Sequence, residues 1–433
     1  MVVSSISAPQ SYDAGYVRSS GQAHPVNRRE DSFSSTMHIS LNNYNMFGKT
    51  NVMSSVQDIL QSVQNKLLSD TEEQNTLSKE MQKSAEEAKD GSRITLIDLS
   101  RAQINAGDGS DTILGDNISD IQLNAGGGDD SIIASGVNSS QINAGEGSDN
   151  ISMSNVSRSQ INAGNENDTI KLNNAVSTQI NAGGGDDYIR LNNASQVQIN
   201  GGDGDDTMDI SGITNSQINA GDGADRITID GISMSQINLG GGDDVVVMTN
   251  AAGIQLNAGT GNKDIIISGS GRTQVNLDNG NNNVFINNSI ETRVNASDGN
   301  DTVIFRNDTD EIGHVSFKSG GGNDHVEVEG NYSAYVSGGT GDDYISLNLM
   351  MTGRTSSIGY SKGDGHDILD IKNGNVTLSM NDIRKDEVDI TNSFDEETGL
   401  TSTLIAMKDG SGSIALSGGQ DSSVRVVFGG LQL

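Results

Sequence analysis

The chain has 433 residues, of which 54 are glycine, only 3% are aromatic and none is tryptophan or cysteine. A globular core of this length would normally contain more large apolar side chains, so the composition favours a repetitive structure in which neighbouring units bury each other's thin core. The absence of cysteine excludes disulfides and thiolate metal sites.

The acidic charge is concentrated in the second part of the chain. The formal net charge is −32; residues 1–93 contain 9 basic and 11 acidic side chains, whereas residues 94–433 contain 17 and 47. Such an excess repels nucleic acid and anionic membranes and favours cations or basic partners. The sequence contains no run of 18 apolar residues and so predicts no membrane span. Its N-terminus lacks the basic head and apolar stretch of a Sec signal peptide.

Two segments precede the acidic part. Residues 1–52 are rich in Ser, Asn and Gln and contain both prolines, which predicts a disordered export or targeting segment. Residues 53–93 carry an apolar stripe at helical spacing. Its members are Val56, Leu60, Val63 and Leu67. We expect this amphipathic helical segment to bind a secretion chaperone through residues 53–90 or to dock onto the end of the following domain, and both alternatives stay open.

A 19-residue repeat fills most of the remaining chain. Its most regular member is an asparagine, found at Asn105, Asn124, Asn143, Asn162, Asn181, Asn200, Asn219, Asn238, Asn257, Asn276 and Asn295. Degenerate copies follow. The repeat predicts an all-β parallel solenoid, a β-roll or β-helix, over residues 94–358, with a C-terminal β cap over residues 359–433.

Each repeat contains two strand patterns and two turn patterns. An apolar residue precedes each Asn, and two more stand eight and ten positions after it, as Ile170 and Leu172 do relative to Asn162. Alternation at i and i+2 is the period of a strand with one buried face. One turn is glycine-rich; the other is centred twelve positions after each Asn, where only Asn and Gly occur, the residues that most readily adopt positive φ. One repeat therefore predicts one coil.

The glycine-rich turn of most coils ends in an aspartate. Stacked coils would hold these carboxylates about 4.8 Å apart, where neighbouring charges repel by about 3 kcal/mol at an effective dielectric constant of 20. Such a column requires cations between its members. Carboxylate and carbonyl oxygens in a flexible loop favour Ca²⁺ over Zn²⁺, copper or Mg²⁺. The column comprises Asp111, Asp130, Asp149, Asp168, Asp187, Asp206, Asp225 and Asp244.

The runs "AGGGDDSII", "AGGGDDYIR" and "GGDGDDTMD" resemble the RTX (haemolysin-type) nonapeptide G-G-x-G-x-D-x-U-x, where U is a large aliphatic residue. The resemblance covers about residues 104–370 and implies a right-handed parallel β-roll that holds several Ca²⁺ ions in its stacked turns. It implies carboxylate ligands at the sixth position, which adds Asp301, Asp324, Asp343 and Asp367. It also implies help from turn carbonyls and from the fifth-position residues Asp129, Asp186, Asp205, Asp243, Asn300, Asn323 and Asp342. The tail from residue 359 is similar to an RTX-type cap.

Several features depart from the family motif. The opposite turn lacks the acids, so calcium is expected on one side of the coil only. Glu166 replaces the fourth-position glycine of one coil, Lys263 replaces the aspartate of another, and Asn282 does so in the next. We expect weak or missing Ca²⁺ binding around residues 257–294, with Lys263 supplying a positive charge instead of the metal. The column would then bind Ca²⁺ in two blocks.

The resemblance implies a protein secreted by a Gram-negative bacterium through type I secretion, whose folding is coupled to Ca²⁺ outside the cell. The expected role is a non-catalytic virulence-associated or host-interaction factor, whose host or cell-surface partner the sequence does not name. The Ser-rich N-terminus and the Gly-rich, Cys-free composition are also similar to harpins and to effectors of type III secretion, so both routes stay open.

Two further functions fit the sequence less well. Ice-binding adhesin segments also use 19-residue coils, but they need threonine at the third motif position, which here reads Asp108, Gly127, Glu146, Asn165 and Gly184 in successive coils. A polysaccharide lyase on a β-helix would need Arg, Lys or His beside Asp, and the repeats contain no such cluster. The recurring glutamine that begins at Gln103 is expected to hydrogen-bond between coils rather than to bind a ligand.

Overall fold

A computed structural model describes residues 2–6, 37–40, 91–350, 354–395 and 400–429. These residues form an all-β parallel solenoid with coils of about 19 residues, which confirms the predicted fold class. Their one helical element is the 3₁₀ turn Lys385–Glu387, and no helix among them is long and apolar enough to cross a membrane. The predicted disordered segment and amphipathic helix lie outside the described residues, apart from two short strands and residues 91–93.

The chain divides into two compact units, residues 1–190 and residues 191–433, with the boundary inside one strand. The strands up to this boundary are β1 Val2–Ile6, β2 Met37–Ser40, β3 Arg93–Ile97, β4 Gln103–Asp108, β5 Thr112–Ser119, β6 Gln122–Gly127, β7 Ser131–Asn138, β8 Gln141–Glu146, β9 Asn150–Ser157, β10 Gln160–Asn165, β11 Thr169–Val176, β12 Gln179–Gly184 and β13 Tyr188–Ser195.

In the first unit, every second strand stacks in parallel without a change of register. β4, β6, β8, β10 and β12 form one series and β3, β5, β7, β9 and β11 the other. Strand β1 pairs in parallel with β3 and antiparallel with β2. Each residue therefore lies beside its equivalent 19 positions away, as Gln103 does beside Gln122.

The second unit repeats this arrangement and ends differently. Its strands are β14 Gln198–Asp203, β15 Thr207–Thr214, β16 Gln217–Asp222, β17 Arg226–Ser233, β18 Gln236–Gly241, β19 Val245–Thr249, β20 Ala252–Asn257, β21 Asp264–Ser268, β22 Gly271–Asn276, β23 Asn283–Asn287, β24 Glu291–Asn295, β25 Thr302–Asn307, β26 Gly313–Lys318, β27 His325–Gly330, β28 Tyr332–Ser337, β29 Tyr344–Leu349, β30 Thr355–Tyr360, β31 His366–Met380, β32 Val388–Asp395, β33 Leu400–Met407 and β34 Ser413–Phe428. The long strands β31 and β34 pair in parallel, whereas β32, β33 and β34 pair antiparallel, which ends the series of coils.

The core consists of the apolar residues that the strand pattern predicts. In the coil that begins at Gln160, Ile161, Ala163, Ile170 and Leu172 are at most 2% exposed. Their equivalents in neighbouring coils pack above and below them. Because the coil is thin, each unit buries its apolar atoms mainly against adjacent coils, as the low aromatic content predicts.

Both turn types depend on positive φ. The predicted turn residue twelve positions after each Asn has φ of +54° at Asn117 and +59° at Asn174, which confirms this prediction. In the glycine-rich turn, Gly145 has φ of +127°, and a Cβ atom built on it would lie 1.9 Å from the carbonyl oxygen of Gly126 in the preceding coil. Stacking therefore requires glycine at this position.

Side-chain amides join the coils on one outer face. The Nδ2 atom of Asn143 donates to Oδ1 of Asn124 at 2.8 Å. The Oδ1 atom of Asn143 accepts in turn from Nδ2 of Asn162 at 2.6 Å. The glutamines were expected to bond between coils, but Gln160, Gln217, Gln236, Gln255 and Gln274 each donate to the asparagine two residues on. Gln236 donates instead within its own coil, to Oδ1 of Asn238 at 2.9 Å. The strand register holds each asparagine side chain close to the asparagine of the next coil. The longer glutamine side chain instead reaches the asparagine two residues along its own strand.

Candidate metal site

The sixth-position aspartates are buried, although they are charged residues next to a turn. Their exposed fractions are 1–4%. In the first unit they are Asp111, Asp130, Asp149, Asp168 and Asp187. In the second unit they are Asp206, Asp225, Asp244, Asp301, Asp324, Asp343 and Asp367. Each unit thus contains a column of inward-facing carboxylates at the predicted positions.

One oxygen of each carboxylate is used by the backbone of the preceding coil. The N–H of Asp130 donates to Oδ1 of Asp149 at 2.7 Å, and the N–H of Asp149 donates to Oδ1 of Asp168 at 2.7 Å. The same hydrogen bond forms where a coil is longer than 19 residues: the N–H of Asp301 donates to Oδ1 of Asp324 at 2.7 Å across 23 residues. The extra residues lie in the loop between β25 and β26, away from the glycine-rich turn.

The second carboxylate oxygen is buried and lacks a hydrogen-bond donor among the described residues at eight positions of the column. They are Asp111, Asp130, Asp149, Asp168, Asp225, Asp301, Asp324 and Asp343. A buried carboxylate oxygen without a donor or a cation costs about 1–3 kcal/mol or more. Repeated along a column, this loss is comparable to the stability of a whole domain. The oxygen therefore fits a cation.

Burial raises the pKa of these carboxyl groups, since the charged form loses its hydration; neighbouring acids add to the rise, and the backbone N–H bonds oppose it. The pKa is raised to about 7 for Asp111, Asp149, Asp168, Asp225 and Asp324, to about 6 for Asp130, Asp187 and Asp343, and to about 8 for Asp367. The column as built by the chain alone thus resists ionisation.

The fifth-position residues, which the RTX resemblance implies as helpers, lie on the outside. All seven of them, Asp129, Asp186, Asp205, Asp243, Asn300, Asn323 and Asp342, are exposed. Their Oδ1 atoms cap the following coil: Asp129 accepts from the N–H of Ser148 at 2.9 Å, and Asn323 accepts from the N–H of Asp342 at 2.9 Å. These side-chain oxygens therefore join adjacent coils on the exposed side of the turn.

Lys263 occupies the column where a coil lacks its aspartate. Its side chain is fully buried, and its Nζ lies 2.8 Å from Oδ2 of Asp244. The ammonium also donates to the backbone carbonyl oxygens of Thr260, at 2.7 Å, and of Gly242. Burial raises the pKa of Asp244, and the lysine charge opposes that rise. A cation held by the column thus contacts one carboxylate and the carbonyls of two successive turns.

Asn282 fills the next column position without a charge. Its backbone N–H donates to Oδ1 of Asp301 at 2.8 Å, like that of a column aspartate. Its Nδ2 donates to the same oxygen at 2.9 Å and to the carbonyl of Gly280 at 3.2 Å. At two successive coils, therefore, N–H groups of the chain itself point at oxygens of the kind that face the rest of the column.

Among the described residues, no group of three or more His, Cys, Asp or Glu side chains converges on one point. A cation in the column would therefore take most of its ligands from turn carbonyls, as the Lys263 ammonium does. Carbonyl-rich oxygen sites of this kind suit Ca²⁺, which accepts six to eight oxygens in flexible geometry. In the sequence, the regularly spaced glycines of the turn mark where these carbonyl groups lie.

The sequence pattern missed one acid. Asp364, at the third position of the last coil, is only 8% exposed, whereas its equivalents Asp108 and Asp203 are exposed. Its Oδ2 accepts the N–H of Ser361 at 2.6 Å, and burial raises its pKa to about 6. Chain that follows the last coil lies beside this turn, where the N–H of Lys362 donates to Oδ1 of Asp382 at 2.7 Å.

Comparison of the chain with protein-family models and with curated proteins found no match.

Proposed function

We propose that this protein binds several Ca²⁺ ions along its aspartate columns and that binding stabilises the coils. The observation that carries the proposal is the contact set of Lys263, since a cation already lies against a column carboxylate and two turn carbonyls there. At eight other positions of the columns, Asp111, Asp130, Asp149, Asp168, Asp225, Asp301, Asp324 and Asp343, the corresponding carboxylate oxygen is buried without a donor among the described residues. The column aspartates and turn carbonyls would hold the metal, and the fifth-position side chains would orient the turns.

Ca²⁺ fits these ligands better than other common cations do. Carboxylate and carbonyl oxygens are hard ligands, which disfavours copper and Zn²⁺. Mg²⁺ needs near-octahedral geometry and releases its water reluctantly, whereas turns spaced by a strand-to-strand distance favour the larger ion with variable coordination. The formal charge of −32 adds long-range attraction for divalent cations.

We further propose that the protein is secreted and completes its fold outside the cell, in the manner of RTX proteins. Sites with millimolar to sub-millimolar affinity bind at extracellular calcium concentrations and release the ion in the cytosol, so folding by mass action would follow export. The role would be non-catalytic, in virulence or host interaction, because the buried carboxylates offer no open site for a substrate. The export route stays undecided between type I and type III secretion.

Circular dichroism of the full chain tests the metal proposal. In EGTA the strand signal should be reduced and should melt at a lower temperature, and Ca²⁺ should restore it cooperatively, whereas Mg²⁺ at the same concentration should restore much less. A full strand signal in EGTA that Ca²⁺ leaves unchanged would overturn the proposal. For export, a variant that lacks residues 1–50 separates the routes, because secretion of this variant excludes an N-terminal signal.

A further inference from the structure

The coils around Lys263 differ from the rest of the second unit in three independent ways. The first is the internal ammonium described above, with the Asn282 amide in the next coil. Both supply N–H donors to column oxygens from the covalent chain. Neither coil has an aspartate at the sixth position, so neither supplies a column carboxylate as a ligand for a metal.

The second difference lies in the core. The buried residue after each repeat asparagine is small in most coils, for example Ala220 and Ala258. At Leu239 and Leu277, the coils immediately before and after that of Lys263, it is leucine, at most 2% exposed. Leucine buries several more methyl and methylene groups than alanine does, so at this position these two coils gain more from apolar burial than the alanine coils do.

The third difference lies on the outer face. Val247, Ile266, Phe285 and Ile304 stand beside one another on four successive strands, β19, β21, β23 and β25. In the following coil the same position is occupied by Glu327. Apolar cross-strand neighbours stabilise a sheet pair by direct contact, and they do so without any cation.

We propose that residues 239–301, the lysine segment, form a part of the solenoid that is stable without metal. This inference rests on the proposed calcium dependence of the flanking coils. Lys263 acts as a cation tethered to the chain, and the uncharged amide of Asn282 donates to the next column carboxylate. The additional apolar burial offsets the stability that a bound metal would otherwise supply. The coils before and after the lysine segment then bind Ca²⁺ as two separate groups. The strands of each group add to the strands of the lysine segment, which are already formed.

Hydrogen exchange of the full chain, followed by mass spectrometry in EGTA and in Ca²⁺, tests this proposal. In EGTA the amides of β19, β21 and β23 should exchange more than roughly tenfold more slowly than those of β15 and β27, because local opening follows local stability. In Ca²⁺ the difference should largely disappear. Exchange in EGTA that is equally fast in all five strands would overturn the inference and leave the calcium proposal standing. Equally slow exchange in EGTA and in Ca²⁺ would overturn both.

Two substitutions test the role of the lysine itself. Lys263→Met removes the charge and keeps most of the stem, so the lysine segment should lose protection in EGTA. Lys263→Asp restores an acid to the column, so the segment should be protected in Ca²⁺ and not in EGTA; this variant also covers the case in which Lys263→Met fails to fold. Lys318→Met, at an exposed lysine of β26, is the matched control. Unchanged protection in both Lys263 variants would contradict the tethered-cation role.

Discussion

Asn124 and Asn143 are equivalent residues of adjacent coils, and the side-chain Nδ2 of Asn143 donates to Oδ1 of Asn124 at 2.8 Å. Asn143 also accepts from Asn162, so one side chain joins three coils. Asn143→Ala should lower the free energy of unfolding by about 2 kcal/mol, since each bond contributes about 1 kcal/mol. Urea unfolding in Ca²⁺ measures the change, with exposed Asn150→Ala as control. A loss no larger than that of the control would mean that the ladder contributes nothing to stability.

Asp149→Asn should have opposite effects with and without metal. In EGTA the amide removes a buried charge and can donate to a turn carbonyl, as Asn282 does, so the variant should be more stable than the parent by about 1–2 kcal/mol. In Ca²⁺ it lacks a charged ligand, and the affinity of the neighbouring sites should fall about tenfold or more. Thermal unfolding and calcium titration measure the two effects.

The control for this substitution is Asp129→Asn, at an exposed fifth position of the preceding coil. It removes the same charge from the same neighbourhood and keeps the Oδ1 acceptor that caps Ser148. If the two variants lower calcium affinity equally, general surface charge rather than the buried column determines binding.

Metal-free protein should become less stable as the pH rises from about 4 to about 7. The folded-state pKa of Asp149 and Asp168 is about 7, above the unfolded value of about 3.9. The folded chain therefore binds more protons than the unfolded chain in this window, and its stability falls as the pH rises. Unfolding midpoints in EGTA at several pH values give the slope; a rising midpoint over this window would refute the prediction.

Gly145→Ala should be strongly destabilising, by about 3 kcal/mol. It combines a positive φ with a Cβ atom that would overlap the Gly126 carbonyl. Gly184→Ala is the matched control in a neighbouring turn, because Gly184 has no positive φ and no atom within 4 Å of its Cβ position. The control should be neutral or more stable by about 0.4–1 kcal/mol. Equal effects of the two substitutions would show that stacking does not restrict the turn.

The repeat predicted the parts of the structure that depend on translation from coil to coil. A fixed 19-residue period brings equivalent residues together, so the strands, the Asn and Gly turns and the aspartate column could be located by counting. The special place of Lys263 followed from the same count, because any residue at that position must enter the column.

Features that depend on neighbours outside the period were not predictable. Arg158 and Met234 adopt φ of +48° and +49° at a second bend of the plain turn, where no residue preference marks the sequence. The stacked strands fix the path there, and residues as different as Arg, Ser, Gln and Met occupy the position in successive coils. Asp364 belongs to the last copy of the repeat and is buried beside chain that follows this copy. The repeat does not describe that chain, so it could not predict the burial of Asp364.

The fifth and sixth positions exchange hydrogen bonds in opposite directions between adjacent coils. A sixth-position carboxylate receives an N–H from the coil before it, whereas a fifth-position side chain receives one from the coil after it. Coils that keep both residues thus present the same donor and acceptor to either neighbour, and the joint between two such coils does not depend on which two meet. Coils of this kind are interchangeable modules, so duplication or deletion of one of them leaves a complete joint, and the solenoid can change length without a redesigned interface.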